Sequence, residues 1–425
     1  MNFRDSEWML GHLLSRGWEA TDTPKDADLA IVNTCSVRYH AEHKAFSLLG
    51  VLRKIKDKTG LKIVLTGCTA EVYKDRLFRD FPYLDAVFGT AEEKELIEKI
   101  DEIINNDEKV FAIGKQTGVK CFYSNCDYRK GKITSFVSIM EGCNNFCSYC
   151  IVPYVRGRER SREVDDVLNE IKALIDKGYK EVMFLGQNVN SYQSSGSRGK
   201  GEGINFIKLL EKVDKTRIER VRFMTSHPKD ADEDLFKAMR DLPHVCEHLH
   251  LPLQAGSDKI LKLMNRGYTL AHYLKLVDSY RRIIPHGSIT TDIIVGFPGE
   301  SVEDFDKTVF AMNKIEFDSA FIFKYSPRPN TAANKFDDNV TREEKERRNS
   351  IALFIQEEIS SRKKAKLEGN TLEVLFQTKD KSGFYKGRSR QNFTVYAEGS
   401  LLEGKVKNVK IKEVRINSLR GEIIE

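Results

Sequence analysis

Four rhythms of apolar and polar positions divide the chain. Over residues 1–106 short uninterrupted apolar runs alternate with helical patterns, and Asp28-Leu-Ala-Ile-Val-Asn33 and Leu61-Lys-Ile-Val-Leu-Thr66 are the clearest strands. Apolar runs without polar alternation predict strands covered on both faces, as in a parallel sheet. Each run leads to a cysteine, Cys35 and Cys68, and open α/β sheets collect ligands at the carboxyl ends of their strands. Residues 107–131 are polar and read as a linker. From 132 to about 329, within a core domain expected over 132–366, a β/α alternation recurs roughly six times, with strands predicted at 133–140, 181–185, 220–224, 248–252, 289–295 and 319–325. Helical patterns such as 164–177 and 302–314 separate them. Parallel strands joined by crossover helices predict a barrel or part of one. The Gly/Ser-rich stretch 194–203 reads as a flexible loop, since its glycines follow no strand-to-helix turn. A charged helix is predicted around 341–367. Short alternating strands at 372–377, 392–397, 404–411 and 416–419 then suggest a small antiparallel barrel of oligonucleotide-binding type over 367–425.

Composition changes this picture little. A length of 425 residues suits two or three domains, and 40% apolar content excludes a disordered chain. No apolar run approaches the roughly 18 residues of a membrane span, and Met1-Asn2-Phe3-Arg4-Asp5 has no apolar leader. A cytoplasmic protein is expected. Charge is more informative. The net +6 conceals a C-terminal region, 361–425, of +7 and a preceding body of −1, which points to a basic module that meets a polyanion.

The eight cysteines include five between Cys121 and Cys150, a crowding that favours metal binding over disulfides. The strongest signal is Glu141-Gly-Cys143-Asn-Asn-Phe-Cys147-Ser-Tyr-Cys150, a C-x3-C-x2-C run directly after a buried strand. Three soft thiolates favour zinc or an iron–sulfur cluster. A structural zinc site wants a fourth protein ligand, yet the next cysteine is Cys246 and the next histidine His227. Three ligands on a four-iron cluster leave one iron open to a substrate, so the cluster is the better reading.

This run, placed after the first strand of a six-fold β/α repeat, resembles the radical S-adenosylmethionine (SAM) enzymes. Asn33-Thr-Cys35-Ser-Val-Arg38, Gly67-Cys68, the segment from Ile151 to Arg162, Leu251-Pro-Leu-Gln-Ala-Gly-Ser257 and Asp292-Ile-Ile-Val-Gly-Phe-Pro-Gly-Glu300 narrow the resemblance to the methylthiotransferases. Leu185-Gly-Gln-Asn-Val-Asn-Ser-Tyr192, Thr225-Ser-His-Pro-Lys229 and Met264-Asn-Arg-Gly-Tyr-Thr269 are similar to the bacterial MiaB-type tRNA branch, and Gly387-Arg-Ser-Arg-Gln-Asn392 to its TRAM domain. The resemblance covers almost the whole chain. It implies an N-terminal open α/β domain, a central partial (β/α)6 barrel and a C-terminal OB-like TRAM barrel. It further implies two 4Fe–4S clusters and SAM, and a dimethylallyl-adenosine at position 37 of tRNA, in the anticodon stem-loop, methylthiolated at C2. Cys143, Cys147 and Cys150 match the ligands of the radical cluster, which reduces SAM to a 5′-deoxyadenosyl radical. Cys35 and Cys68 match two of three ligands of the auxiliary cluster. The third belongs to a Gly-Cys-Gln-Met-Asn word that this chain matches only from Met1-Asn2 onward, so its cysteine is expected upstream of Met1. A flavodoxin- or ferredoxin-type electron donor and a monomeric state are expected as well.

Gln187, Asn188, Ser226 and His227 end barrel strands, where catalytic groups gather, and are candidate SAM or substrate contacts. Arg156, Arg158, Arg160 and Arg162 alternate beside the cluster run and are candidate contacts to tRNA phosphates, surface ion pairs being the plain alternative. Lys386, Arg388, Arg390 and Asn392 are candidate RNA contacts of the basic barrel. Asp292 and Glu300 are supporting or helix-capping groups, and Cys121, Cys126 and Cys246 ordinary thiols. Two alternatives stand beside the main reading. One is a sibling methylthiotransferase acting on threonylcarbamoyl-adenosine or a ribosomal-protein aspartate. The other, if the third auxiliary cysteine is absent, is a catalytically impaired RNA-binding protein.

Overall fold

The computed structural model describes residues 1–37, 39–114, 128–195 and 203–424. The chain falls into two compact units. One comprises Met1–Lys130, Met140–Arg162 and Ser326–Asn334, the other Gly131–Ile139, Glu163–Tyr325 and Lys335–Glu425. The cysteine run, within Met140–Arg162, groups with the N-terminal sheet.

In the first unit, β1 (Leu29–Thr34), β2 (Lys62–Gly67), β3 (Ala86–Phe88) and β4 (Val110–Ala112) form a parallel sheet in that order. Trp8, Met9, Val64, Phe88, Leu96 and Ile100 pack in one core cluster, and Val32, Leu49, Ile63, Leu65 and Val87 in another. The strands are thus buried on both sides, as their unbroken apolar runs require. The fourth strand lies inside the expected linker. Its triad is too short to show a period, and pairing with Ala86–Phe88 supplies what the local pattern lacks. Cys121 and Cys126 lie outside the described residues.

In the second unit, β5 (Thr134–Ser138), β6 (Glu181–Leu185) and β7 (Arg220–Phe223) are parallel, in the order β7-β6-β5. So are β8 (His248–His250), β9 (Ser288–Val295) and β10 (Ser319–Lys324), in the order β8-β9-β10. A single bridge, Val221 to Val245, joins the two triplets into one arc. Among the described residues no ladder joins β10 to β5, so the barrel is partial. The loop stretch 194–203 is flanked by a two-residue hairpin pairing of Gln193–Ser194 with Ile204–Asn205; residues 196–202 lie outside the description.

The long helix Arg342–Ala365 leads into a closed barrel of β11 (Thr371–Lys379), β12 (Tyr385–Ser389), β13 (Thr394–Ala397), β14 (Val406–Arg415) and β15 (Ser418–Ile424), ordered β11-β12-β13-β15-β14. Two features differ from expectation. Tyr385–Ser389 is a fifth strand, hidden in the sequence by its charges and by Gly387, where any Cβ would meet the Leu375 carbonyl. The pairing of β13 with β15 is parallel, so the barrel is not wholly antiparallel. No described helix is long and apolar enough to cross a membrane.

Candidate metal centre and cofactor rim

The cysteine run is held by short-range geometry. Met140–Glu141 pairs antiparallel with Arg160–Ser161, so the segment leaves and returns at one place. Between them Gly142 has φ +73, and a Cβ there would collide with the Arg158 carbonyl; only glycine meets both conditions. The amide of Cys143 donates to the Gly157 carbonyl (3.2 Å), that of Cys150 to the Cys147 carbonyl (2.9 Å), and that of Asn145 to the Cys143 sulfur (3.5 Å). Cys143 and Cys147 are nearly buried and Cys150 half-buried.

Cys35 and Cys68 follow the carboxyl ends of β1 and β2, as expected. The two ends are tied together: Thr34 Oγ1 donates to the Thr66 carbonyl at 2.6 Å and accepts from the Thr69 amide at 3.2 Å. Gly67, at φ +93, lets the chain turn so that Cys68 opens a helical turn, where a Cβ would press on Thr34. Cys68 packs with Ile151 and Val155 of the cysteine segment, so all five thiols belong to one unit. Burial pushes the Cys68 thiol up, while the positive charge of the Arg156 guanidinium opposes that shift. Arg156 is itself 5% exposed and donates to Asp5 and Asn2, both at 2.8 Å, with Glu141 at 3.6 Å. Among the described residues no three Cys, His, Asp or Glu side chains close around a single ion. A four-iron cube spaces its thiolates more widely than an ion does, and an all-thiol donor set with a buried guanidinium beside it suits such an anionic cluster.

In the second unit the carboxyl ends of the barrel strands carry Gln187, Asn188, Ser226 and His227. The last three are buried. Asn188 Nδ2 donates to Asp230 at 2.7 Å, and Asn190 exchanges hydrogen bonds with the backbone of His227. His227 Nδ1 accepts from the Lys229 amide, and its imidazole is held down to about 2 by burial, then by Arg266 and Lys229. The ring is therefore neutral at physiological pH. Asn188 Oδ1, Ser226 Oγ, His227 Nε2 and Gln254 Oε1 are buried without a hydrogen-bond partner among the described residues. Buried polar atoms are normally satisfied, so this group fits a polar ligand such as SAM. Thr225 and Gln254 also adopt positive φ, +67 and +71, strain of the kind stored at functional sites. Gln254 and Arg266 were not singled out from the sequence, although both lie within motifs quoted above.

Three family models match in chain order: an uncharacterized protein family, UPF0004, over residues 1–89, the Radical SAM superfamily over 137–312, and the TRAM domain over 365–424. Proteins named tRNA-2-methylthio-N(6)-dimethylallyladenosine synthase match along the entire chain. That of Thermodesulfovibrio yellowstonii is 46% identical across 100% of this chain and 96% of its own length. Those of Desulforamulus reducens and Carboxydothermus hydrogenoformans are each 44% identical, across 93% and 97% of their lengths. The chain belongs to the tRNA-2-methylthio-N(6)-dimethylallyladenosine synthase family, within the radical SAM methylthiotransferases. Among solved structures, the radical SAM methyltransferase TsrM of Kitasatospora setae, determined with cobalamin and a 4Fe–4S cluster, aligns with a TM-score of 0.56 at 17% identity, over 77% of this chain and 70% of that one. That likeness concerns the fold alone.

For this methylthiotransferase the basic candidates separate. Arg156 and Arg162 are buried, and Arg160 lies 3.9 Å from Glu141. Arg158 alone of the four is exposed, stacked over Phe146 at 4.4 Å. The alternation that suggested a phosphate-binding face instead sends two arginines inward. In the terminal barrel, Arg390 bonds Glu247 at 2.7 and 2.8 Å and the carbonyls of Pro243 and Val245, so its expected RNA contact is replaced by a joint to the partial barrel. Arg388 donates to the Asn392 carbonyl at 3.0 Å, and Lys386 is half-buried. Glu300 accepts from the Gly296 amide and pairs with Arg348, both at 2.6 Å.

Proposed function

We propose that this methylthiotransferase converts N6-dimethylallyl-adenosine at position 37 of tRNA to its 2-methylthio derivative, using SAM and two 4Fe–4S clusters. The observation that supports this most is the full-length identity of 46% to a synthase of that name, with all five matching cysteines in one compact unit. Cys143, Cys147 and Cys150 would hold the radical cluster, and Cys35 and Cys68 two positions of the auxiliary one. The clusters supply reducing equivalents for SAM cleavage and a place for the sulfur, chemistry that a C–H bond with no leaving group demands. The chain's own residues do the rest. Arg156 compensates negative charge around Cys68. Asn188, Ser226, neutral His227 and Gln254 offer unsatisfied polar atoms to a polar cofactor. The basic terminal barrel, through Lys386, Arg388 and Asn392, and Arg158 contribute positive potential for the tRNA backbone. A ferredoxin or flavodoxin would deliver electrons to a monomeric, cytoplasmic enzyme.

The test is nucleoside mass spectrometry of tRNA from a strain deleted for this gene. Loss of the 2-methylthio group and its return on complementation are expected. Unmodified tRNA after complementation, or methylthiolation of threonylcarbamoyl-adenosine instead, refutes the reading.

A further inference from the structure

Arg158 differs from the other arginines of the cysteine segment. Arg156 and Arg160 face Glu141, at 3.6 and 3.9 Å, and Arg162 is buried. Arg158 is exposed, and among the described residues its guanidinium has no carboxylate or carbonyl partner. It sits instead over the ring of Phe146, 4.4 Å from the centroid, a cation–π contact. The backbone presents Phe146 for this contact. Its φ of +46 is left-handed, a conformation that bulky residues rarely adopt. Two bonds fix the facing stretches of chain: Asn144 Oδ1 accepts from the Glu159 amide at 3.2 Å, and the Cys143 amide donates to the Gly157 carbonyl at 3.2 Å. Tyr154, 48% exposed, meets Phe146 edge-on, with centroids 6.3 Å apart and planes at 89°.

One side of the guanidinium therefore rests on a ring, and exposure leaves the rest of it to solvent. A solvated arginine is flexible, and ordering one on binding costs rotamer entropy. Here the ring restricts the side chain before any ligand arrives, so a ligand that uses its plane loses less on binding. A flat, unpaired group beside negative charge is the chemistry that suits such a surface, and a nucleic-acid base between two phosphates has it.

Phe146 immediately precedes Cys147, so the pair borders the thiols that the reacting base must approach under the methylthiolation reading, on which this inference rests. Enzymes that do chemistry on a base take it out of its stack, and the bases on either side then each lack one stacking partner. Unpaired bases stack on aromatic rings and on arginine planes. We propose that Arg158, backed by Phe146, stacks on a base directly next to the methylthiolated adenosine in the anticodon loop and replaces the adenosine in that stack. Arg158 then reads the loop through its plane as well as its charge. Phe146 is a positioning residue, which holds the guanidinium ready without touching the RNA.

The test separates plane from charge. Arg158→Lys keeps the charge and loses the plane. With the reconstituted full-length enzyme and an anticodon stem-loop carrying dimethylallyl-adenosine, Arg158→Lys should weaken binding by roughly tenfold. The slope of log affinity against log salt should stay that of the parent, because no phosphate contact is lost. An abasic residue at one of the two positions flanking the adenosine should weaken binding to the parent by a similar factor, and binding to Arg158→Lys by about twofold at most. Parent and variant should then bind that abasic loop about equally, which a variant that merely misfolds would not do. Phe146→Leu should show the same coupling to the same position. Parent-like affinity in Arg158→Lys, or full additivity at both flanking positions, overturns the proposal while leaving the functional reading intact. A parent enzyme that does not bind the stem-loop refutes both.

Discussion

Glu181→Gln should destabilise the unit that carries the partial and closed barrels far more than an exposed carboxylate would. Glu181 and Arg222 are each about 1% exposed at the side chain and 2.7 Å apart. The remaining nitrogens of Arg222 donate to the carbonyls of Ser389 and Arg390, at 2.5 and 2.8 Å. The amide variant keeps the shape and removes the charge, leaving a buried guanidinium with carbonyls alone. Breaking one side of such a pair costs about 3–5 kcal/mol. At about 2–4 °C per kcal/mol for a unit of this size, the thermal midpoint should fall by on the order of 10 °C. The assay is thermal unfolding followed by circular dichroism, with Glu181→Leu/Arg222→Met as comparator. Removing both charges should recover most of the loss, since apolar replacements of buried pairs are often near neutral. A loss below about 1 kcal/mol in Glu181→Gln would mean that water reaches Arg222 and that the joint is not dry.

Cys147→Ala should abolish formation of 5′-deoxyadenosine from SAM by removing a matched ligand of the radical cluster; normal output would sink the ligand assignment. His227 titrates far lower in the fold than in the unfolded chain, so the unfolded state binds the extra proton between about pH 2 and 6.5. Its stabilising contribution is full above pH 6.5 and declines by about 1.4 kcal/mol per unit below it. Urea unfolding at pH 7 and pH 5 should show a smaller decline in His227→Asn, and an equal decline would contradict the burial argument. Lys386→Glu should weaken tRNA binding and reduce the slope of log affinity against log salt by about 1, measured by filter binding; an unchanged slope would place Lys386 outside the RNA interface.

Legibility followed how local each determinant is. The unbroken runs of β1 and β2 announced a sheet buried on both faces, and six β/α repeats announced the partial barrel. The cysteine run was readable because its thiols are close together in sequence. Val110–Ala112 and Tyr385–Ser389 were not readable as strands, because three residues show no period and a glycine with flanking charges mimics a turn. The fates of Arg156 and Arg390 were illegible for another reason. Each depends on partners about 150 positions away, Asp5 and Glu247, and alternation in sequence does not reveal an inward turn.

The first unit is assembled from three pieces of chain, the last of which, Ser326–Asn334, follows Arg162 by roughly 160 residues. Arg328 there pairs with the buried Glu42 at 3.0 Å, and the Ala333 amide donates to the Ser148 carbonyl within the cysteine run. Ribosomes add about 5–20 residues per second, so the thiols wait on the order of ten seconds or more before their final support exists. During that interval they are open to oxidants and to stray metal. Until that segment is made, the cysteine run lacks the Ala333 contact to Ser148, so rapid oxygen exposure during synthesis should harm the protein more than the same exposure afterwards.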